Sequence, residues 1–167
     1  MSRLTAAAES FERTLVDLGI TGDEEELRDP EDLGRRAALL AAADVLWRKQ
    51  IGRMYSSKQV RELTRIGTRQ GVSDLAKRRR LLALPDADGR VAFPAFQFMP
   101  SGRPLPGLPA ILATFADAVA SAYTIASWFV TPDRLLQGET PAEWLRRGEE
   151  PSLAVEAARR YAERLRH

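Results

Sequence analysis

The segment SSKQVRELTRIGTRQGVSDLAKRRR, residues 56–80, predicts two short helices joined by a turn, and this pair decides the fold. Ser56 and Gln59 have the spacing of a capping box, so the first helix is expected to begin there and to run through Thr64. Apolar residues lie at the spacing that lets two helices pack at a steep angle, as in a helix-turn-helix: Val60, Leu63, Ile66, Val72 and Leu75.

The turn between the two helices is predicted at Arg65–Gly67, where Gly67 can adopt a positive φ. Thr68 is the predicted N-cap of the second helix, which is expected to run from Arg69 to about Arg79.

A small β-hairpin is predicted directly after the second helix. Two short β-type runs, residues 81–84 and 90–93, flank the turn-forming sequence PDADG. A hairpin in this position corresponds to a wing. The central part of the chain therefore predicts a helix-turn-helix with a wing.

Helical patterns predominate on both sides of this central part. Helices are expected at residues 1–20 and 34–55, separated by an acidic loop at 21–33 that contains the helix breaker Pro30. Further helices are expected at about 109–120 and 123–130, and from Pro151 to the end. We therefore predict a mainly α protein with four parts: N-terminal helices with a possible role in dimerisation (1–55), the helix-turn-helix with its wing (56–98), a Pro/Gly-rich linker (99–109) and a C-terminal helical domain (110–167).

A short helix is also predicted within the C-terminal part. Thr140 is the expected N-cap, Pro141 the first helical residue and Glu143 the third, which is a strong start signal. A helix this short needs tertiary burial for its stability, so Trp144 is expected to lie in the core. The alternative is an exposed Trp144 that anchors a partner protein.

Charge is distributed unevenly along the chain. Residues 48–80 contain eleven Lys/Arg and only two acids, Glu62 and Asp74, which gives +9, whereas the remainder carries −7. A basic block inside an acidic chain indicates a surface that binds a polyanion. Together with the helix-turn-helix, it predicts binding of double-stranded DNA, with a homodimer on a two-fold operator.

The second helix of the pair is expected to carry the contacts to bases. Arginine can read guanine and glutamine can read adenine, whereas a cluster of basic residues at the far end is better placed to bind phosphates. The candidate DNA-binding residues are Thr68, Arg69, Gln70 and Ser73 in the first turns, Lys77, Arg78, Arg79 and Arg80 at the far end, and Arg90 in the hairpin.

The sequence contains few of the residues that enzymes usually use for catalysis. Cysteine is absent and the single histidine is His167, so no catalytic residue, metal ligand or cofactor site is predicted. No apolar run approaches the roughly 18 residues of a membrane span, and the N-terminus lacks the pattern of a signal peptide. A cytoplasmic protein is expected.

Two stretches resemble the Xre/MbcA/ParS antitoxins. The first is RLLALPDADGRVAFPAFQF followed by GRPLPGLP, and the second is ASWFVTPDRLLQGETPAEWLRRG at residues 126–148. The resemblance covers roughly residues 57–148. The chain departs from many relatives in the turn Arg65–Gly67 and at Gly71, inside the second helix of the pair, while residues 1–50 match no named family.

The resemblance implies a type II antitoxin that pairs with a RES-domain toxin, an enzyme that consumes NAD. Such an antitoxin covers the active site of the toxin with its C-terminal region and represses its own operon through the helix-turn-helix. On this basis, the candidate partner-binding residues are Arg146, Arg147, Glu149, Glu150, Arg159, Arg160 and Arg164.

Two other functions are compatible with the same residues. One is a stand-alone transcriptional regulator whose C-terminal domain senses a ligand or binds a partner. The other is a protein-interaction adaptor that does not bind DNA, in which the basic residues only make the helices soluble. The C-terminal helix also allows two interpretations. Its apolar face could bind a partner protein or pack against its own domain.

Overall fold

Helices make up most of the structure, a computed structural model that describes residues 2–20, 30–86, 88–118 and 120–166. The prediction of a mainly helical chain is confirmed. In these residues the elements follow in this order: α1 (Arg3–Asp17), α2 (Pro30–Ile51), β1 (Met54–Ser56), α3 (Ser57–Thr64), α4 (Arg69–Lys77), β2 (Leu84–Pro85), β3 (Val91–Pro94), a 3₁₀ helix (Ala95–Gln97), α5 (Leu108–Thr114), α6 (Ala122–Phe129), a second 3₁₀ helix (Arg134–Leu136), α7 (Pro141–Arg146) and α8 (Pro151–Arg164).

Side-chain caps fix the start of two short helices. At α3, the Ser56 hydroxyl accepts a hydrogen bond from the Gln59 backbone N–H at 3.2 Å, and the Gln59 side chain accepts one from the Ser56 N–H at 2.8 Å. Thr140 and Glu143 form the same reciprocal pair at α7. Both predicted capping boxes are therefore confirmed.

The three strands form one antiparallel sheet in the order β1-β3-β2. Leu84 pairs with Ala92 across β2 and β3, so the predicted hairpin is confirmed. Strand β1 was not predicted, and it pairs with β3 through Tyr55 and Phe93. The sheet therefore has three strands, with β3 in the centre.

Strand β1 replaces the end of a predicted helix. The helix expected to reach residue 55 ends at Ile51, because Gly52 follows it with a φ of +81°. Its predicted start is also wrong. Pro30 is the first residue of α2, a position in which the missing N–H of proline costs no hydrogen bond. Most of the predicted acidic loop, residues 21–29, lies outside the described residues.

Helices α3 and α4 pack through the apolar residues predicted for them: Val60, Leu63, Ile66, Val72 and Leu75. The Arg61 guanidinium donates to the Gly67 carbonyl at 2.9 Å and ties α3 to the turn. A Cβ at Gly71 would lie only 2.8 Å from Cγ2 of Ile66. Gly71 therefore permits close packing within this pair, which accounts for a glycine inside a helix.

The conformation of the turn differs from the prediction. Gly67 does not have a positive φ; Arg65 does, at 59°, as the C-cap of α3. The left-handed residue directly follows the last helical residue, which is the common way for a helix to end. The prediction for Gly67 was wrong because the turn begins two residues earlier.

A buried glutamine connects the hairpin to the core. The Gln97 side-chain oxygen accepts from the Leu82 N–H at 2.8 Å, and its Nε2 donates to the carbonyls of Leu82 at 2.9 Å and of Pro94 at 3.1 Å. Gln97 is fully buried, and these bonds satisfy its amide. The Gln97 side chain thus forms, with the backbone of Leu82, the two hydrogen bonds that a neighbouring strand would otherwise form.

The segment predicted as a linker, residues 99–109, is packed against the unit that contains the sheet. Leu105 and Leu108 are buried within it. Gly102 has a φ of +85° and lies against the backbone of Leu63 in α3. The contacts of the chain place residues 46–167 in one compact unit and residues 1–45 in another.

The C-terminal helices complete the core of the larger unit. Helix α8 packs against α5 and α7, and it buries one face made of small residues: Ala154, Ala157, Ala158 and Ala162. The apolar face of the C-terminal helix thus packs on its own unit. Trp144 is only 5% exposed, so its predicted burial is confirmed.

The smaller unit contains α1 and the first part of α2. Ser2 caps α1 by accepting a hydrogen bond from the Thr5 N–H at 3.1 Å. Neither helix buries its large apolar side chains within this unit, and the exposed ones are Leu4, Phe11, Val16, Leu18, Leu39, Leu40 and Val45.

Candidate nucleic-acid interface

A groove of about 860 Å³ runs between the start of α3, the β2–β3 hairpin and the first residue of α4. Residues from β1 complete its wall. Four basic side chains line it: Lys58, Arg61, Arg69 and Arg90. The groove therefore brings together two predicted DNA-binding residues, one from α4 and one from the hairpin.

Asp86 is the acidic residue in this groove, and its carboxylate has a structural role. One oxygen accepts hydrogen bonds from the backbone N–H groups of Asp88 at 2.9 Å and Arg90 at 2.8 Å. Gly89, with a φ of +74°, completes the hairpin turn. Asp86 thereby holds Arg90 in position at the hairpin.

The start of α4 presents the predicted base-reading residues. Thr68 caps the helix through its hydroxyl, which accepts from the Gly71 N–H at 3.0 Å. Arg69 and Gln70 are exposed, whereas Ser73 is half-buried. Exposure at the start of the helix is what a contact with base edges requires.

Gln70 has an intramolecular partner that the sequence analysis missed. Its Nε2 donates to Oδ1 of Asp74 at 2.8 Å, one turn further along α4. Asp74 therefore restricts the rotation of the Gln70 amide. The i, i+4 spacing of the two residues is a signal that could have revealed this pair.

The predicted phosphate-binding residues lie at the other end of α4 and in the bend that follows it. Lys77, Arg78, Arg79 and Arg80 are all exposed. Arg78 is the C-cap, and Arg79 has a φ of 54°. These residues do not line the groove, so the predicted site divides into two basic areas.

Two residues of the groove, Lys58 and Arg61, are absent from the predicted set. Both lie within the basic block at residues 48–80, which was the available signal. Their position beside the hairpin depends on the pairing of β1 with β3. Because β1 was predicted as helix, the sequence analysis could not place them there.

The predicted partner-binding residues form two groups on the larger unit. Arg146 and Arg147 line a groove of about 390 Å³ with Glu139 and Glu143. A second groove, of about 470 Å³, contains Arg160 and Arg164 of α8 and the 3₁₀ segment around Arg134.

Each residue of the first group already has a partner within the chain. Arg146 donates to the Phe96 carbonyl at 3.0 Å. Arg147 pairs with Glu149 and Glu139, and these contacts raise the pKa of its guanidinium. Glu150 caps α8, and its carbonyl accepts from the Trp144 indole N–H. These contacts stabilise the end of α7 and the start of α8.

Glu156 organises the second group. Arg160 donates a hydrogen bond to it at 2.9 Å and Arg159 at 2.6 Å, and the two contacts lower the pKa of the Glu156 carboxyl. Arg164 lies over the ring of Tyr161, 5.4 Å from its centroid. The exposed arginines of α8 are thus held in place along one side of the helix.

Within the part of the chain that the structure describes, no three His, Cys, Asp or Glu side chains are grouped as a metal ion would require. No helix in the same residues combines the length and the apolar character needed to cross a membrane.

The chain matches no family model and no curated protein. Among solved structures, the NMR structure of Rv2175c is similar, with a TM-score of 0.57 and 24% sequence identity. The similarity covers 66% of this chain and 81% of the other. At this identity the likeness supports the fold, a mainly helical chain with a small antiparallel sheet.

Proposed function

We propose that the chain binds double-stranded DNA through α3 and α4 as a helix-turn-helix, with the β2–β3 hairpin as its wing. The observation that carries this proposal is the basic groove, in which Arg69 of α4 and Arg90 of the hairpin lie together with Lys58 and Arg61. A surface with cations from three elements suits the continuous negative charge of a DNA backbone.

The two basic areas have different tasks in this proposal. Arg69 and Gln70, at the start of α4, read base edges in the major groove. Arg78 and Arg79, at its end, bind phosphates and supply affinity without sequence information. Asp74 limits the orientations in which the Gln70 amide reaches a base, because it already accepts one of the amide hydrogens.

Replacing Arg69 and Gln70 together by alanine is expected to reduce the preference for the operator over random duplex. Each contact with a base edge contributes about 1–3 kcal/mol of discrimination, so the preference should fall at least about 10-fold. Replacing Arg78 and Arg79 should weaken binding to both duplexes alike and reduce its dependence on salt. Fluorescence anisotropy with both duplexes, at several salt concentrations, measures the two effects.

The two double variants are matched controls for each other, because each changes two exposed residues, one pair at the start of α4 and the other at and directly after its C-cap. Equal losses of preference in both would contradict the division into base-reading and phosphate-binding residues. A wild-type chain without salt-dependent affinity for duplex DNA would contradict the proposed function itself.

We further propose that the chain is the antitoxin of a type II toxin–antitoxin system, whose C-terminal region covers the active site of a RES-domain toxin. This proposal rests on the resemblance of residues 57–148 to Xre/MbcA/ParS antitoxins. The groove beside α8 supports it, because Arg160 and Arg164 offer positive charge to acidic groups of a partner. Repression of its own operon through α4 follows from the same proposal.

Reversing charge on α8 is the appropriate test of toxin binding. Deleting α8 would remove four buried alanines and damage the core, whereas the Arg160 and Arg164 side chains lie at the surface. R160E/R164E is expected to abolish rescue of growth in cells that express a cognate RES-domain toxin, while operator binding persists. R3E/R13E on the exposed surface of α1 reverses the same number of charges and is the matched control.

Full rescue by R160E/R164E would contradict the assignment of this surface. Purification of the wild-type chain without any second protein, after co-expression with the neighbouring gene, would favour a stand-alone regulator over an antitoxin.

A further inference from the structure

Helix α2 carries an apolar surface that its own unit leaves exposed. Ten of the eleven residues at positions 37–47 are apolar. A helix that is apolar on most of its sides is normally buried. Here, however, the side chains of Leu39 and Val45 are 64% and 52% exposed. Large apolar surfaces of this kind mark contacts with another protein.

One face of α2 is arranged symmetrically about its middle. At 100° per residue, six positions lie within about 40° of one line along the helix: Glu31, Arg35, Ala38, Ala42, Val45 and Lys49. The described side chains on this line are all exposed. Leu39 flanks the same face. The spacing of four, three, four, three and four residues is that of a helix–helix contact.

We propose that this face binds the same face of a second copy of the chain, with the two α2 helices antiparallel. Reversing the helix about position 40 places Glu31 opposite Lys49, Ala38 opposite Ala42 and the stem of Arg35 beside Val45. Unlike charges meet at both ends, and small residues meet in the middle, which lets the helices approach closely. A parallel pair would instead place Glu31 against Glu31 and Lys49 against Lys49.

The length of the helix suits such a contact. With 22 residues, α2 is about 33 Å long. The antiparallel pair has a two-fold axis perpendicular to the helices, so one interface joins two identical chains and closes the assembly. The pairing is a property of α2, and only its consequence, a two-fold arrangement for DNA, rests on the proposed function.

Sedimentation of the full chain without DNA tests the pairing. The wild-type chain is expected to be a dimer at micromolar concentration. A42E is expected to raise the dimer dissociation constant by about 100-fold or more, because it buries a charge in the contact. A7E changes an exposed alanine of α1 to the same residue and should leave the dimer intact. Circular dichroism verifies that both variants are folded.

Cysteine cross-linking tests the direction of the helices, because the natural chain contains no cysteine. In the antiparallel pair, position 35 of one copy lies beside position 45 of the other, while the two copies of position 35 are about 15 Å apart along the helix. The variants R35C and V45C should therefore form a disulfide-linked dimer when mixed and oxidised, and neither should do so alone.

Three results would overturn the inference: a monomeric wild-type chain, a dimer that A42E leaves unchanged, or cross-linking of R35C or V45C alone. A monomeric wild-type chain would mean that the exposed face of α2 binds a different protein. None of them affects the proposed function, because a monomer that binds duplex DNA with salt-dependent affinity would still support it.

Discussion

Replacement of Trp144 by alanine is expected to lower the free energy of unfolding by about 3–5 kcal/mol. Trp144 is buried, and its indole N–H donates to the Glu150 carbonyl at 3.0 Å. Helix α7 has only six residues, which is too short for stability by helix propensity alone. Its capping box fixes where it begins, but the packing of Trp144 and Leu145 must hold it in the unit.

Thermal unfolding of the purified variants measures this loss, and W144F is the matched control. Phenylalanine keeps an aromatic ring in the core and removes the hydrogen bond to Glu150, which contributes about 1 kcal/mol. W144F should therefore be clearly more stable than W144A. An unchanged melting temperature of W144A, combined with loss of toxin binding, would move Trp144 from the core to the interface.

Replacement of Gly102 by alanine is expected to destabilise the protein by the opposite mechanism, because it adds an atom where the fold leaves no space. Gly102 has a φ of +85°, which strains any residue with a side chain. In addition, a Cβ would overlap the backbone carbonyl oxygen of Leu63 near the end of α3. Backbone cannot move aside as a flexible side chain does, so α3 or the loop at 99–105 must shift.

Gly138 provides a control that separates the two causes. It has almost the same φ, +83°, but among the described residues no atom beyond its two chain neighbours lies within 4 Å of its Cβ position. G138A should therefore cost only the backbone strain, about 1 kcal/mol, and G102A should cost clearly more. Chemical unfolding of both variants gives the difference. Equal losses would show that the contact with Leu63 relaxes freely.

The elements that could be predicted from the sequence depend on neighbouring residues. The capping boxes at Ser56 and Thr140 form between residues three positions apart, and the hairpin turn at Asp86 closes within five residues. The same is true of the apolar spacing in α3 and α4. Local geometry determines these features, so they can be predicted from the order of residue types in the sequence.

The errors arose where distant residues decide the structure. Strand β1 exists because it pairs with β3, nearly forty residues further along the chain. Its three residues, MYS, have no alternating pattern of their own. The turn at Arg65 was misplaced for a different, local reason: glycine is the usual left-handed residue, but α3 ends at Thr64 and makes Arg65 its left-handed C-cap.

Part of the candidate site followed from charge alone. The basic block identified Arg69 and the cluster at 77–80, because charge can be counted along the sequence. The groove that joins Arg69 with Lys58 and Arg90 depends on the tertiary fold. The same applies to Arg146, whose hydrogen bond reaches Phe96, fifty residues earlier.

The hydrogen bonds of Gln97 leave this position without a conservative replacement. Glutamate has nearly the same shape, but as a carboxylate it cannot donate to the carbonyls of Leu82 and Pro94. Asparagine can donate and accept, but its side chain is one carbon shorter. Methionine fills the volume and would leave the N–H and the carbonyl of Leu82 buried without partners. A residue that looks like an ordinary polar side chain in the sequence is therefore hard to replace, since it supplies the hydrogen-bond partners of the Leu82 backbone.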